Sequence, residues 1–210
     1  MKALIVTNGT IRSLEYLKDL IQSNDKIICA DGAVRYLRAI NKIPSIVVGD
    51  LDSISKDNLI WVNEHQIELI QFDSKKDNTD TEIAVDYAIS NKATHITIAG
   101  GVGSRIDHSL GNIFLLKRMM DHGVMGVLDE IGVEIQLISG SIRLKWRKGE
   151  TVSFIPVSEK VTGITLIGFE YPMNNETIEM GSSRCLSNVV AKDFPDVQVE
   201  EGLLIAIRNK

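Results

Sequence analysis

Residues 46–55 read IVVGDLDSIS: an apolar run and a glycine, then Asp50 and Asp52. After a β run, positions 50 and 52 project to the same side. Carboxylates at the end of a buried strand are costly without a positive partner, and two held close together repel unless a cation bridges them or one takes a proton. A hard, oxygen-seeking ion such as Mg²⁺ fits the pair, because the neighbouring residues offer none of the cysteine or paired-histidine ligands that zinc prefers. Magnesium takes one or two carboxylates, keeps some waters and lets substrate phosphates complete its shell. An acidic cleft could receive a polyphosphate in that way, with Arg105 and either Lys75 or Lys76 neutralising the outer oxygens.

Three more apolar runs end in polar residues: ADGA with Asp31, DSKKDNTDTE with Asp73, Asp77 and Asp80, and GGVGSRIDHSLGN with Arg105, Asp107 and His108. Each has a plain explanation by itself. Thr79 and Glu82 form a T-x-x-E capping box, Asp80 in the first helical turn complements the helix dipole, and Asp107 suits an N-cap. The glycine-rich loop lacks the GxxxxGK[ST] pattern of a phosphate loop. His65, His95 and His122 have no liganding partners at a recognisable spacing. Taken together, the polar strand ends fall on one predicted sheet edge, where a doubly wound fold places its ligand crevice.

The elements that must position these residues show two rhythms. Up to residue 123, the runs KALIVT, KIICAD, PSIVVGD, IELIQF and THITIAGG alternate with helical stretches such as SLEYLKDLIQ and TDTEIAVDYAIS. Continuous apolar runs separated by helices predict a mostly parallel sheet covered on both faces. From 124 the pattern is β-type throughout. SIRLKWRKGE sets Ile142, Leu144 and Trp146 against Arg143, Lys145 and Arg147, and short runs break at Lys148-Gly149, Thr162-Gly163, Asn174-Asn175 and Glu201-Gly202. The expectation is an α/β, doubly wound domain over 1–123 followed by an all-β sandwich over 124–210, with the join anywhere in 123–140.

Composition bounds the partners. The 210 residues are 44% hydrophobic and 24% charged, with a net charge of −5. That balance is globular and opposes a nucleic-acid surface, which needs a basic face. No run is long enough for a signal peptide or a membrane span. Cys29 and Cys185 form no disulfide framework or cysteine zinc site, which fits a reducing cytoplasm.

The blocks ADGA, GDLDS, KDNTDTEIA and GGVGSRIDHSLGN, in this order, resemble the thiamine pyrophosphokinase family, and the later SFIPVS, GITLIGFEYPM and SSRCLSN resemble its β-sandwich domain. The resemblance covers nearly the whole chain. It implies transfer of the pyrophosphoryl group of ATP to the hydroxyl of thiamine, giving thiamine diphosphate and AMP. It also implies Mg²⁺ on Asp50, Asp52 and Asp80, with Asp80 alternatively orienting the thiamine hydroxyl. Arg105 would join them in catalysis. Asp31, Asp77, Thr79, Ser104, Asp107 and His108 would surround the nucleotide, and Ser187 and Asn188 would contact thiamine. A homodimer is implied, the sandwich of one subunit closing over the α/β site of the other. The segment after Asn188, VVAKDF, has no tryptophan where some family members stack an aromatic on thiamine, leaving Phe194.

Two other readings of the Asp50/Asp52 pair remain at this point. A haloacid-dehalogenase-type phosphohydrolase also carries D-x-D after a strand, although there it follows the first strand and here two runs precede it. A nucleotide- or thiamine-binding protein without turnover is the other.

Overall fold

A computed structural model describes residues 1–72 and 78–210. Its contacts divide the chain into two compact units, Met1–Ile131 and Gly132–Lys210. The described part of the first unit holds β1 (Lys2–Val6), β2 (Lys26–Ala30), β3 (Ile46–Gly49), β4 (Glu68–Gln71), β5 (His95–Ala99) and β6 (Met125–Glu130). All their pairings are parallel, in the order β6-β5-β1-β2-β3-β4. The strand order reverses between β1 and β5, which puts the crevice of such a sheet beside the ends of those two strands.

Period-two alternation explains why these runs are apolar throughout. Leu4, Val6, Cys29 and Val47 pack with Leu17 of α1 (Leu14–Gln22), Leu37 of α2 (Val34–Ala39) and Val62 of α3 (Lys56–Glu64). The intervening Ile5, Ile28, Ile46 and Val48 are equally buried. Helix α4 (Asp80–Ser90) lies against β1, β2 and β3, and α5 (Ile106–Asp121) against β6. Each large aliphatic side chain so buried contributes roughly 1.5–3 kcal/mol.

Side-chain caps begin three of the helices. Ser13 accepts from Tyr16 N–H, Ser55 from Asn58 N–H and Thr79 from Glu82 N–H. Helix α5 departs from the expectation that Asp107 caps it: Arg105 holds the cap position without a side-chain cap bond, and Asp107 lies in the first turn. The physical reason is a stronger partner, since both Asp107 oxygens accept from the Arg105 guanidinium, at 3.0 and 2.5 Å. The stretch GVLDE becomes part of β6, paired with β5, so the division of the chain falls after Ile131.

The second unit is antiparallel. It consists of β7 (Val133–Arg143), β8 (Thr151–Pro156), β9 (Lys160–Ile167), β10 (Met173–Glu179), β11 (Asn188–Val189) and β12 (Asp196–Asn209). Its organising strands are β7 and β12, which pair along their lengths across a register shift between Val199 and Leu204. Beyond the shift β12 also pairs with β8, and before it with β9. Gly202, at φ +91, lies within the shift, a backbone state that glycine adopts without a Cβ penalty. The core gathers Trp146, Phe154 and Phe169 with Val152, Ile164, Leu166 and Val197, and Phe154 meets Phe169 edge to face at 5.4 Å. The alternation seen in SIRLKWRKGE persists past the end of β7, with Leu144 and Trp146 buried and Lys145 and Arg147 exposed.

Candidate active site

A cleft of about 510 Å³ opens at the carboxyl ends of the first unit's strands. Asp31 follows β2 in a short 3-10 turn, Asp50 and Ser53 follow β3, Thr79 and Asp80 begin α4, Ser104 and Arg105 lie between β5 and α5, and His108 is in the first turn of α5. Asp31 is 2% exposed and sits at φ +42. Leu51, between the two other aspartates, has φ +69, a strained state for a bulky residue. Such outliers concentrate at functional sites because the surrounding structure must hold them. Gly49 makes the approach possible, since a Cβ there would lie 2.8 Å from Asp31 Cβ.

Oxygens of Asp31, Asp50 and Asp52 lie within 4.8 Å of one another. Asp31 Oδ2 accepts from Ser53 N–H at 3.1 Å, while its buried Oδ1 has no hydrogen-bond partner among the described residues. Asp50 accepts from Asp52 N–H at 3.1 Å and Asp52 from the Ser53 hydroxyl at 2.9 Å. Burial pushes the Asp31 carboxyl above the usual carboxylate range, and the Asp80 and Asp50 charges push it further, while the Ser53 bonds hold it down. Asp31 thus converges with Asp50 and Asp52, and Asp80 faces the cleft from the start of α4.

The glycine-rich turn is fastened on several sides. Gly101 N–H donates to Glu130 at 2.8 Å, the Asn112 amide donates to Gly101 carbonyl at 2.8 Å, and Gly103 N–H donates to the Ser109 hydroxyl at 3.0 Å. Gly9 presses on the same turn so closely that a Cβ would meet Gly100 carbonyl oxygen at 2.0 Å. Arg105 and His108 line the cleft. Asp107 is bound to Arg105, which holds its carboxyl well below the usual range. Asp77, like Asp73, Lys75 and Lys76, lies outside the described residues.

In the second unit Ser187 and Asn188 border a groove of about 450 Å³ with Tyr171, Met173, Arg184 and Leu186. Ser187 is exposed at φ +56. Asn188 is buried, and its side-chain oxygen accepts from Tyr171 and Val189 N–H while its amide donates to Tyr171 carbonyl. Its side chain therefore shapes the groove by clasping the Tyr171 turn. Phe194 instead stacks under the Arg147 guanidinium, 4.5 Å from ring centroid to carbon, which leaves Tyr171 as the aromatic on the groove.

Sequence reasoning passed over two contributors. Thr7, Asn8, Gly9 and Thr10, after β1, line the cleft, and an N-G-T tripeptide closing an apolar run was the available signal. Glu130 ends β6, and its signal was the same pattern that marks Asp50: an apolar run, GVL, followed by carboxylates.

Fold and cleft define a class: a parallel α/β unit with an acidic strand-end crevice, followed in one chain by an antiparallel β unit. The family model for the thiamin pyrophosphokinase catalytic domain matches residues 17–128, and that for the thiamin pyrophosphokinase vitamin B1 binding domain matches residues 139–204. Thiamine pyrophosphokinase of Bacillus subtilis (strain 168) is 34% identical to this chain, spanning 80% of it and 79% of the relative. Thiamine pyrophosphokinase 1 of Arabidopsis thaliana is 26% identical, spanning 99% and 86%. The crystal structure of the Bacillus subtilis enzyme superposes with a TM-score of 0.88 at 31% identity, over 100% of this chain and 99% of the other. That of the Geobacillus thermodenitrificans enzyme gives 0.86 at 28%, over 100% and 98%. The chain belongs to the thiamin pyrophosphokinase family.

Proposed function

We propose that the protein transfers the pyrophosphoryl group of ATP to the hydroxyl of thiamine, forming thiamine diphosphate and AMP, and that the first unit's cleft binds the polyphosphate. Transfer of this group is the activity of its family. The observation that carries the assignment to the cleft is the convergence of Asp31, Asp50 and Asp52 around a buried Asp31 oxygen without a partner among the described residues. An all-oxygen, all-carboxylate donor set fits Mg²⁺. Bound there, the ion would supply charge neutralisation at the polyphosphate oxygens.

The chain's own groups do the positioning on which such transfers depend. Thr79 and Ser104 offer hydroxyls to phosphate oxygens from the cleft lining, and Arg105 and His108 offer charge and a ring nitrogen there. Asp80 orients the thiamine hydroxyl for attack on the β-phosphorus. The new O–P bond forms there as the bond to the α-phosphate oxygen breaks, releasing AMP. The groove beside Ser187 and Tyr171 receives thiamine. The same reading has the enzyme acting as a homodimer in the cytoplasm, and the two free, buried cysteines suit a reducing compartment.

The test is AMP release from ATP with Mg²⁺, with and without thiamine. AMP is expected only when thiamine is present, and Asp50→Ala is expected to lower turnover by roughly 100-fold or more. Its melting temperature should be no lower than wild type, because a like charge has been removed. Near-normal turnover in that variant would sink the site assignment, and AMP formation independent of thiamine would sink the transfer reaction.

A further inference from the structure

The N–H groups of a glycine-rich turn are a ready anion site, and in this protein the anion they hold is its own. Glu130, at the end of β6, is half-buried, and Gly101 N–H donates to it at 2.8 Å. The N–H groups of Gly100 and Val102 stabilise the same carboxylate. We propose that Glu130 is a positioning residue for the transfer reaction: it occupies the concavity of the Gly100–Val102 turn, so that the following Ser104 and Arg105 reach the cleft in a fixed pose. Gly100 and Gly101 still line the cleft, but the N–H groups that Glu130 holds are withdrawn from substrate, and polyphosphate binding falls to the residues after the turn and to the adjoining loop, Thr7–Thr10. The inference rests on the proposed binding of ATP in this cleft.

Three features support it. The turn is pinned independently on its other sides, by Asn112 on Gly101 carbonyl and by the close approach of Gly9 to Gly100. Removing Glu130 would therefore displace the N–H side alone. Next, Glu130 sits outside the cleft lining, beside a small cavity bordered by Arg12, Ser13, Tyr16 and Asp129, so it acts through the loop. Finally, burial raises the Glu130 carboxyl to about 7, and the turn's N–H groups partly offset that rise. Charged and titratable groups near it among the described residues include Asp129 on β6, which raises it further, Tyr16 on α1, whose hydroxyl is bound to Asp129, and Arg12 in the loop between β1 and α1. As pH falls through about 7 the carboxyl gains a proton and becomes a weaker acceptor, loosening the turn.

The experiment compares wild type with Glu130→Gln and Glu130→Asp, measuring kcat and KM for ATP and for thiamine between roughly pH 5.5 and 9. It is paired with calorimetric titration of a non-hydrolysable ATP analogue. For Glu130→Gln at alkaline pH, KM for ATP is expected to rise about tenfold, the loss of one charge-assisted hydrogen bond. KM for thiamine should stay put, and the melting temperature should not fall, because a half-buried charge has gone. The rise in wild-type KM for ATP on the acid side should flatten in the variant. Should Glu130→Gln not fold, Glu130→Asp keeps the charge at shorter reach, and its KM for ATP alone should rise. Unchanged KM for ATP with the wild-type pH profile would overturn the proposal, as would equal losses in both KM values accompanied by a lower melting temperature. A wild type that binds the analogue but releases no AMP would refute the transfer reaction instead, and the analogue titration would then decide the role of Glu130: weaker binding in the variants upholds it, equal binding overturns it.

Discussion

Both units take carboxylates partly or wholly out of water, and they treat them in opposite ways. In the second unit Glu134 and Glu150 share Arg208, at 2.5 and 3.2 Å, and Glu134 also accepts from Trp146 Nε1 at 2.9 Å. Both carboxylates of this cluster have a positive partner supplied by the fold, and the one buried atom there without a hydrogen-bond partner among the described residues is a donor, Arg208 Nε, not a carboxylate oxygen. In the first unit Asp31, Asp50 and Asp52 crowd together, a buried Asp31 oxygen lacks a partner among the described residues, and Leu51 is held in a strained turn. A protein gains no stability from such an arrangement. The contrast separates charge that holds the fold from charge held ready for a ligand.

The largest effect expected from that contrast is in the second unit. Glu134→Ala leaves Arg208 with one carboxylate and Trp146 without its acceptor, which should cost about 3 kcal/mol in chemical denaturation. Turnover per folded molecule should be unchanged. A loss below about 1 kcal/mol would mean the cluster behaves as a surface pair, and the contrast would fail on that side.

Asp31→Asn should act in the opposite sense. Asparagine tolerates positive φ, so the turn can persist. The folded carboxyl of Asp31 lies above its ordinary value, so the native state binds the proton more tightly than the unfolded chain does. Stability is therefore lost as pH rises from the ordinary carboxylate range through the raised value. The variant should match wild type in acid and melt no lower than wild type at neutral pH. Added Mg²⁺ should raise the wild-type melting temperature and raise that of the variant less. A variant that melts lower than wild type at neutral pH without metal would show that Asp31 is a structural residue.

The legible part of the sequence was what local periodicity encodes. The continuous apolar runs of β1, β2, β3 and β5, the T-x-x-E cap of α4 and the paired aspartates of GDLDS depend on neighbours a few residues away. Features set by distant chain were harder to read. That Asp31 converges with Asp50 depends on β2 and β3 lying side by side, with Gly49 permitting close approach. Glu130 was harder to place because the pairing of β6 with β5, and so the meeting of its carboxylate with the Gly101 N–H, shows only in three dimensions. The alternative fate of Asp107, bound to Arg105 and not to helix N–H groups, turns on a competition between two nearby partners that spacing alone leaves open. In the second unit the β pattern was visible, but the long pairing of β7 with β12 joins residues up to 76 positions apart, as from Val133 to Asn209.

The smallest expected effect tests the contrast from within the first unit. Arg118 of α5 clasps Asp86 of α4 through two bonds of 2.6 and 2.7 Å, with Glu82 at 3.2 Å. The group resembles the Arg208 cluster in its pairing, but its side chains are 40%, 37% and 25% exposed, against 13%, 15% and 20% for Arg208, Glu134 and Glu150. Water and salt screen exposed charges and solvate a carboxylate or guanidinium left behind. Asp86→Ala should therefore cost less than about 1 kcal/mol, shrinking further as salt is added. A cost equal to that of Glu134→Ala would mean that burial does not govern these clusters, and that pairing geometry alone sets what each is worth.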